Sequence, residues 1–150
     1  MKLREEIPEK YKWDLTLIYE SDEAFEKDFE KVNPLLEKVV SYSGRLLESP
    51  QTLKEAIEDG QELLRKVRNL FVYSSLHSSL DTSDTAAQSR VLRMHGLYAS
   101  VSAGISFFEP ELLSAPKEEV LKFIDEYEGL EPYRQKNQSS FAIKKIIINR

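Results

Sequence analysis

The sequence predicts an all-α fold: an antiparallel up-down bundle of three long helices plus shorter ones, with an extended N-terminal arm. Apolar residues recur at alternating steps of three and four over long segments, which is typical of helices with one buried face. Only 5 glycines and 6 prolines occur among 150 residues, too few for a turn-rich β fold. Short polar connections between the helices favour antiparallel packing of neighbours.

The predicted arm comprises residues 1–20. Trp13, the only tryptophan, stands in an aromatic-rich stretch, YKWDLTLIY at 11–19, that is too short to form a long helix. We expect an extended segment with one short turn that packs over the bundle. In that arrangement the Trp13 ring serves as an apolar anchor.

The first long helix is predicted over residues 22–42, with Ser21 as its N-cap and Gly44 as its stop. Pro34 lies inside this run and should kink the helix or split it into two. Proline has this effect because it lacks an N–H and its ring collides with the preceding turn. The apolar positions that define the buried face are Phe25, Phe29, Val32, Leu36 and Val39.

The second helix is predicted to begin with Ser49 as cap and Pro50 as its first residue, and to continue to about Ser79. At about 1.5 Å per residue its length is roughly 45 Å. One apolar row comprises Leu53, Ile57, Gly60, Leu64, Val67 and Phe71. A second row, at steps of seven, widens the face and comprises Ala56, Leu63, Leu70 and His77.

The third helix is predicted to start with Thr85 as cap, because Thr85 and Gln88 match a capping box. It runs to about Phe108 and is ended by Pro110. Its apolar row comprises Ala87, Val91, Met94, Tyr98, Val101, Ile105 and Phe108. Small residues that should allow close approach of a neighbouring helix are Ala99, Ser100, Ser102, Ala103, Gly104 and Ser106. A shorter fourth helix follows Pro116 and stops near Gly129.

Composition excludes several classes of protein. The net charge of −5 argues against a nucleic-acid binder, which normally carries a basic face. Cysteine is absent, so there is no disulfide, thiolate zinc site or cysteine nucleophile. No apolar run is long enough to cross a membrane, and residues 1–10 lack the apolar core of a signal peptide. We therefore expect neither nucleic acid nor a membrane as a partner.

The last residues differ from the rest of the chain. Residues 135–150 are rich in lysine, asparagine and isoleucine and contain no acid. Such a break in composition marks a boundary or foreign sequence. We therefore divide the chain into the arm (1–20), a helical lobe (21–134) and an atypical basic, isoleucine-rich tail (135–150).

No self-contained catalytic or metal site is predicted. A zinc-peptidase helix carries H-E-x-x-H, which places two imidazoles one turn apart beside a glutamate. Neither His77 nor His95 begins such a motif. We expect His77 to be partly buried and hydrogen-bonded, and His95 to be interfacial or exposed. Residues 81–85 carry oxygen ligands but lack the glycine and glutamate of a calcium loop, which indicates a turn and a helix cap.

Several short segments resemble oligoendopeptidase F, and they occur in that family's order. They are EIPEKYKWDLT at 6–16, IYESDEAF at 18–25, YSGRL at 42–46, YSSL at 73–76, FFEPELL at 107–113 and PYR at 132–134. Each segment is short, but the ordered set is specific. The resemblance covers residues 5–134.

The family comprises cytoplasmic bacterial zinc endopeptidases that cut short peptides, related to thimet oligopeptidase. The resemblance implies that this chain is the non-catalytic N-terminal helical lobe beside the substrate cleft, and that its location is cytoplasmic. The zinc helix belongs to a later part of the family's chain, so the resemblance transfers no catalytic, metal or substrate-channel residue to this sequence. It implies no cofactor in this chain, with zinc in the full-length family. The implied partners are the catalytic lobe of the parent peptidase and short peptides.

Two further interpretations remain beside the lobe. The chain could be a free-standing helical module that binds a protein partner, or a small all-helical enzyme whose site lacks a motif.

The loss of resemblance and the change in charge after Arg134 suggest a frame change or an early stop. A lobe built to pack against another lobe exposes apolar surface. We therefore expect the isolated chain to self-associate.

Overall fold

The computed structural model describes residues 14–80 and 82–126, and this part of the chain is all-α and without strands. In these described ranges a 3-10 turn, Leu15–Leu17, precedes six helices. These helices are α1 (Asp22–Glu30), α2 (Val32–Val40), α3 (Pro50–Leu80), α4 (Thr85–Gly104), α5 (Phe108–Ser114) and α6 (Lys117–Glu126). The expected positions of Trp13 and Gly129, and the tail 135–150, lie outside the described residues.

The short turn expected in the arm is present at Leu15–Leu17. Asp14 caps it by accepting a hydrogen bond from the Thr16 amide. Leu15, Ile18 and Tyr19 are partly buried against the core. This end of the arm therefore packs on the helices, as the sequence predicts.

The expected split of the first helix by Pro34 is confirmed. α1 is capped by Ser21, whose side chain accepts a hydrogen bond from the Ala24 amide, and it ends at Glu30. Glu30 lies four residues before Pro34, where the proline ring would collide with a helical carbonyl and leave it without a donor. Pro34 itself occupies the third position of α2, where a missing N–H costs nothing.

α3 is the central element and packs against α1, α2, α4 and α6. It begins at Pro50 after Ser49, whose hydroxyl accepts a hydrogen bond from the Thr52 amide at 3.1 Å. Its buried residues are Leu53, Ala56, Ile57, Gly60, Leu63, Val67, Leu70, Tyr73 and Ser74. The predicted second row is thus the centre of the buried face. Phe71 lies at its edge and is 38% exposed.

The start of α4 differs from the prediction by one residue. Asp84, not Thr85, is the N-cap, because its carboxylate accepts hydrogen bonds from the amides of Ala86 and Ala87. The Gln88 side chain donates to the carbonyl of Thr82 instead of closing a capping box. At the positive end of the helix dipole, the carboxylate of Asp84 is a stronger acceptor than the hydroxyl of Thr85, so Asp84 is the N-cap.

The end of α4 also differs from the prediction. The helix ends at Gly104, and the residues from Phe108 onward form the separate helix α5. Pro110 is the third residue of α5, so it helps to start a helix, whereas the sequence reading made it a stop. The buried face of α4 also differs from the predicted one. Tyr98, predicted to lie in the apolar row, is 57% exposed, whereas Leu97 is buried.

Of the small residues predicted to allow close helix approach, Gly104 does so. A Cβ added there would lie 2.5 Å from Leu36 Cδ1 and 3.2 Å from Val40 Cγ2 of α2. The other small residues of this set are exposed, so they do not face a helix within the described residues. They form part of the outer side of α4.

Candidate interaction surface

Three tyrosines at the margin of the core each donate a hydrogen bond to a carboxylate on a helix. The pairs are Tyr19 with Asp28 at 3.0 Å, Tyr42 with Asp59 at 2.7 Å and Tyr73 with Asp22 at 3.1 Å. Each carboxylate also accepts from a cation, respectively Lys66, Lys38 and Arg90. Burial, and then the neighbouring carboxylate, raise the pKa of all three tyrosines. These groups hold helices together and are not placed as acid–base catalysts.

One flank of α4 is bound to α1 by two paired ion contacts. Arg90 donates to both carboxylate oxygens of Asp22 at 2.9 and 2.6 Å, and Arg93 to both of Glu26 at 2.7 and 2.8 Å. The Arg93 guanidinium also lies over the Phe29 ring, 4.2 Å from its centroid. The hydrogen bonds from Arg93 lower the pKa of Glu26. The charges of this flank are therefore used within the lobe.

Glu111 connects two segments that are far apart in the sequence. Its carboxylate accepts hydrogen bonds from the Gly44 and Leu46 amides, both at 2.7 Å. Gly44 has φ +78°, a left-handed conformation that suits glycine, and this turn presents both amides to α5. The segments 42–46 and 107–113, which carry part of the family resemblance, thus meet in space. Sequence reasoning did not predict this contact.

The two histidines occupy separate structural environments. His77 is partly buried, as expected, but its Nδ1 is buried and has no hydrogen-bond partner in the described part of the chain. This Nδ1 lies 3.8 Å from Asp84 Oδ2, too far for a hydrogen bond. His95 is exposed, and its ring meets the edge of the Phe71 ring at a centroid distance of 6.2 Å.

Within residues 14–80 and 82–126, no three His, Asp or Glu side chains are grouped so that they could hold a metal ion. The paired carboxylates and tyrosines described above are already engaged by cations or hydroxyls.

No helix in the described part of the chain is both long and apolar enough to span a membrane.

The side of α4 that faces away from the core is exposed to solvent. We define the α4 outer face by Leu92, Gly96, Ala99 and Ala103, which recur at steps of four, three and four and are all exposed. Leu92 is 72% exposed, and a Cβ added to Gly96 would have nothing within 4 Å. Such spacing is the seam pattern of helices that pack lengthwise.

This face carries no formal charge along most of its length. Residues 94–108 contain no Asp, Glu, Lys or Arg, in a chain that is 31% charged. His95 flanks the seam and, through its contact with Phe71 of α3, extends the uncharged surface onto a second helix. The α4 outer face is therefore an exposed and uncharged surface made of one leucine and three small residues.

The sequence carries a signal for this surface. The small residues between Ala99 and Ser106 are expected from the sequence to allow close approach of a neighbouring helix. The structure shows that Met94 and Leu97 belong to the buried row of α4. The row that begins at Leu92 therefore faces outward, and residues 94–108 beside it carry no charge.

No protein-family model matches this sequence. Individual relatives do match. The chain is 32% identical over 146 residues to the Group B oligopeptidase PepB of Streptococcus agalactiae, covering 97% of this chain and 24% of that protein. It is 32% identical over 151 residues to the chromosomal oligoendopeptidase F of Lactococcus lactis subsp. cremoris, covering 99% of this chain and 25% of that protein. Oligopeptidase PepF of Bacillus subtilis is 29% identical over 130 residues.

The fold is similar to part of a solved structure. The crystal structure of oligoendopeptidase-F from Enterococcus faecium matches with a TM-score of 0.68 at 23% identity, covering 85% of this chain and 27% of that one. The chain thus spans about a quarter of the length of the relatives it matches, at their N-terminal side. The alignment over 99% of the chain reaches into residues 135–150.

Proposed function

From its likeness in sequence and fold to the N-terminal quarter of oligoendopeptidase F, we propose that this chain is a non-catalytic helical lobe of such a peptidase. The observation that carries the proposal is 32% identity across 99% of the chain, against 25% of the relative's length. In this role the lobe packs beside the catalytic part, walls the substrate channel and admits short, unstructured peptides. The zinc and the catalytic residues belong to the remaining part.

In the described part of the chain, the acidic groups at the helix junctions are engaged within the lobe. The acids that could act as bases, such as Asp22, Glu26 and Asp28, accept hydrogen bonds from arginine or lysine at the junctions between helices. The two histidines lie in different settings, one against Tyr73 and the other against Phe71. These groups join neighbouring helices of the lobe.

The proposal includes an antiparallel, up-down arrangement of the long helices. Two contacts support opposite directions for α3 and α4. His77, near the end of α3, lies beside Asp84 at the start of α4, whereas Phe71, earlier in α3, meets His95, later in α4. We also retain the division into arm (1–20), lobe (21–134) and tail (135–150), and a cytoplasmic location.

A direct assay tests the catalytic part of the proposal. The purified chain is incubated with zinc and an internally quenched oligopeptide, and fluorescence is followed. We expect no cleavage that a chelator abolishes. Zinc-dependent cleavage by the chain alone, copurifying with it through two columns, would show that it is an enzyme in its own right.

Complementation tests the lobe itself. The chain is mixed with a Lactococcus oligoendopeptidase F that lacks its N-terminal quarter, and cleavage of the same peptide is measured. We expect the chain to restore activity and Leu70→Asp, which places a charge in the fully buried core, to fail. Leu17→Asp, at an 87% exposed position, is the matched control and should restore activity like the unaltered chain. If the unaltered chain and Leu17→Asp both fold and neither restores activity, the proposal is contradicted.

The alternative is a free-standing helical interaction module, which the α4 outer face favours. Under that alternative the chain does not restore activity to the shortened peptidase. A partner that binds the unaltered chain but not Leu92→Asp, while complementation fails, would favour the module over the peptidase lobe.

A further inference from the structure

Two arginines of α3, Arg65 and Arg68, form no ion pair with any residue in the part of the chain that the structure describes. The other described arginines each bind a carboxylate, namely Arg45 to Glu48, Arg90 to Asp22 and Arg93 to Glu26. Arg65 and Arg68 are both exposed, and at three residues apart they are neighbours on the helix surface. Two like charges in such positions weaken a helix slightly, so folding does not account for the pair.

Exposed aromatic side chains border the two arginines. Phe71 lies one turn after Arg68 on α3, is 38% exposed, and meets the ring of His95 on α4. With α3 and α4 antiparallel, as proposed above, residues one turn back on α3 and one turn further along α4 are again neighbours. Arg68 therefore falls beside Tyr98, which is 57% exposed. We define the arginine–aromatic patch as Arg65, Arg68, Phe71 and Tyr98.

The patch lies on the side of α3 away from α1 and α2. Lys66 joins α3 to α1 by donating a hydrogen bond to Asp28 at 3.0 Å. At 3.6 residues per turn, Arg68 projects about 160° away from Lys66. The positive charge of the patch is therefore not used in the contact between α3 and α1.

The proposed function supplies a partner for this surface, because in it the chain provides about a quarter of the enzyme. We propose that the arginine–aromatic patch is the surface that binds the remaining part of the peptidase, through an acidic segment of that part. The proposal rests on the proposed function and adds to it the contact surface and the chemistry of the partner.

The residue types of the patch fit such a contact. A guanidinium group binds a carboxylate through two parallel hydrogen bonds, which fixes the orientation of both groups. Arginine, tyrosine and phenylalanine are enriched at protein contacts, where rings exclude water from the charged groups beside them. The arginines thus bind the acidic side chains, and Phe71 and Tyr98 bury apolar surface next to them.

Charge also limits where an acidic segment can bind. The chain has a net charge of −5, so most of its surface repels such a segment. Two arginines that no described carboxylate neutralises make the patch a local exception. An acidic segment is therefore directed to one place and one orientation on the lobe.

Binding to the shortened Lactococcus peptidase of the complementation assay tests this surface. The double variant Arg65→Glu, Arg68→Glu should raise the dissociation constant by more than about tenfold, because it sets like charges against the acidic segment. Tyr98→Ala should raise it by about fivefold, because the apolar contact is lost. Raising the salt concentration from about 0.1 M to about 1 M should weaken binding of the unaltered chain more than binding of the double variant.

A matched control changes the net charge by the same amount elsewhere. Lys27→Glu with Lys31→Glu alters two exposed positions on the α1 side of the molecule and should change the dissociation constant by less than about threefold. Circular dichroism checks that both double variants are folded. Arg68→Gln, which removes one of the two like charges, should weaken binding without lowering the stability of the isolated chain to urea.

The outcomes separate this proposal from the proposed function. If the unaltered chain neither binds the shortened peptidase nor restores its activity, both proposals fail. If the chain does both and the arginine double variant binds equally well, the peptidase lobe stands and the patch is not its contact. Equal weakening by the lysine control would show that only net charge matters, which also rejects the patch.

Photo-cross-linking identifies what occupies the patch. Because the chain contains no cysteine, a benzophenone maleimide attached to Val72→Cys, an exposed position one turn from Arg68, labels this site alone. Irradiation of the mixture should link the label to a segment of the shortened peptidase rich in Asp and Glu, identified by mass spectrometry. The same label at Lys27→Cys should give little of this product. Cross-linking mainly to a second copy of the chain, or to the peptide substrate, would overturn the proposal.

Discussion

At the scale of the residue, Glu111 joins two segments that are distant in the sequence. Its carboxylate accepts hydrogen bonds from the amides of Gly44 and Leu46, and so fixes α5 to the turn between α2 and α3. Leu46 is fully buried beside this contact, so the turn cannot move without disturbing the core. Together with the buried Phe108 and Leu112, this side chain holds the short helix α5 in place.

We predict that Glu111→Ala lowers the free energy of unfolding by about 1–3 kcal/mol, because two amides lose a charged acceptor. Urea denaturation followed by circular dichroism measures the change. Glu37→Ala, at an exposed position of α2, is the control and should change stability by less than about 0.5 kcal/mol. Equal effects of the two substitutions would show that the Glu111 contact contributes nothing.

At the scale of the element, two prolines determine where helices break. Pro34 and Pro110 each occupy the third position of a new helix, α2 and α5. In both cases the preceding helix ends at or before the residue four positions earlier, since that carbonyl would have no donor. The break before Pro34 follows this rule as predicted, whereas Pro110, predicted as a stop for the helix before it, lies inside the next helix, α5.

Two glycines allow a matched test of helix packing. At Gly60, in the middle of α3, an added Cβ would lie 3.7 Å from Phe108 Cζ, an ordinary contact. Gly60→Ala should therefore stabilise the protein by up to about 1 kcal/mol, because alanine is the better helix former. At Gly104 the Cβ would meet Leu36 Cδ1 at 2.5 Å, so Gly104→Ala should destabilise the protein by about 1 kcal/mol.

Thermal and urea unfolding measure the change in stability that each variant causes. The informative result is whether the two changes have opposite signs, since both substitutions make the same chemical change in a helix. A stabilising effect of both would show that α2 and α4 are not in close contact at Gly104. A destabilising effect of both would show that the space beside Gly60 is already filled.

At the scale of the whole molecule, acidic and phenolic groups hold the helices together across a range of pH. The pKa of Glu26 lies below its ordinary value of 4.5 because of the hydrogen bonds from Arg93. For Asp28, burial works to raise the pKa, but hydrogen bonds from Lys66 and Tyr19 outweigh it and lower the pKa from 3.8. The pKa of Tyr19 and Tyr42 is raised above 10.0, first by burial.

We predict that stability is highest between about pH 5 and pH 9. A carboxyl group whose pKa is lower in the folded state contributes stability above its unfolded pKa, and this is lost as pH falls through the folded value. A tyrosine whose pKa is raised contributes stability below its unfolded pKa, near 10.0, and this is lost as pH rises further. Urea denaturation at a series of pH values measures the loss of stability at low pH (the acid limb) and at high pH (the alkaline limb).

Two variants assign the limbs to particular groups. Glu26→Gln should flatten the acid limb below about pH 4.5 and leave the alkaline limb as it was. Tyr42→Phe should flatten the alkaline limb alone. If each variant shifted the whole curve without changing its slope, the charges would not be the source of the pH dependence.

The sequence by itself determined the helical class, the start of α1 and α3 and the break before Pro34. Caps, prolines and apolar spacing act within a few residues of the chain, so a local pattern contains them. It also determined the likeness to the N-terminal part of oligoendopeptidase F, because that likeness lies in the order of short segments. The histidines could be set aside as a zinc motif for the same reason, since the motif is local.

The tertiary structure alone decided which side of α4 is buried and which contacts join distant segments. The spacing of Leu92, Gly96, Ala99 and Ala103 is as regular as that of the buried row, and period alone cannot tell which row faces α3. The contact of Glu111 with Gly44 joins residues far apart in the chain, and no local pattern encodes such a distance. Packing resolves both, because only one face of α4 can meet the core, and the other faces outward.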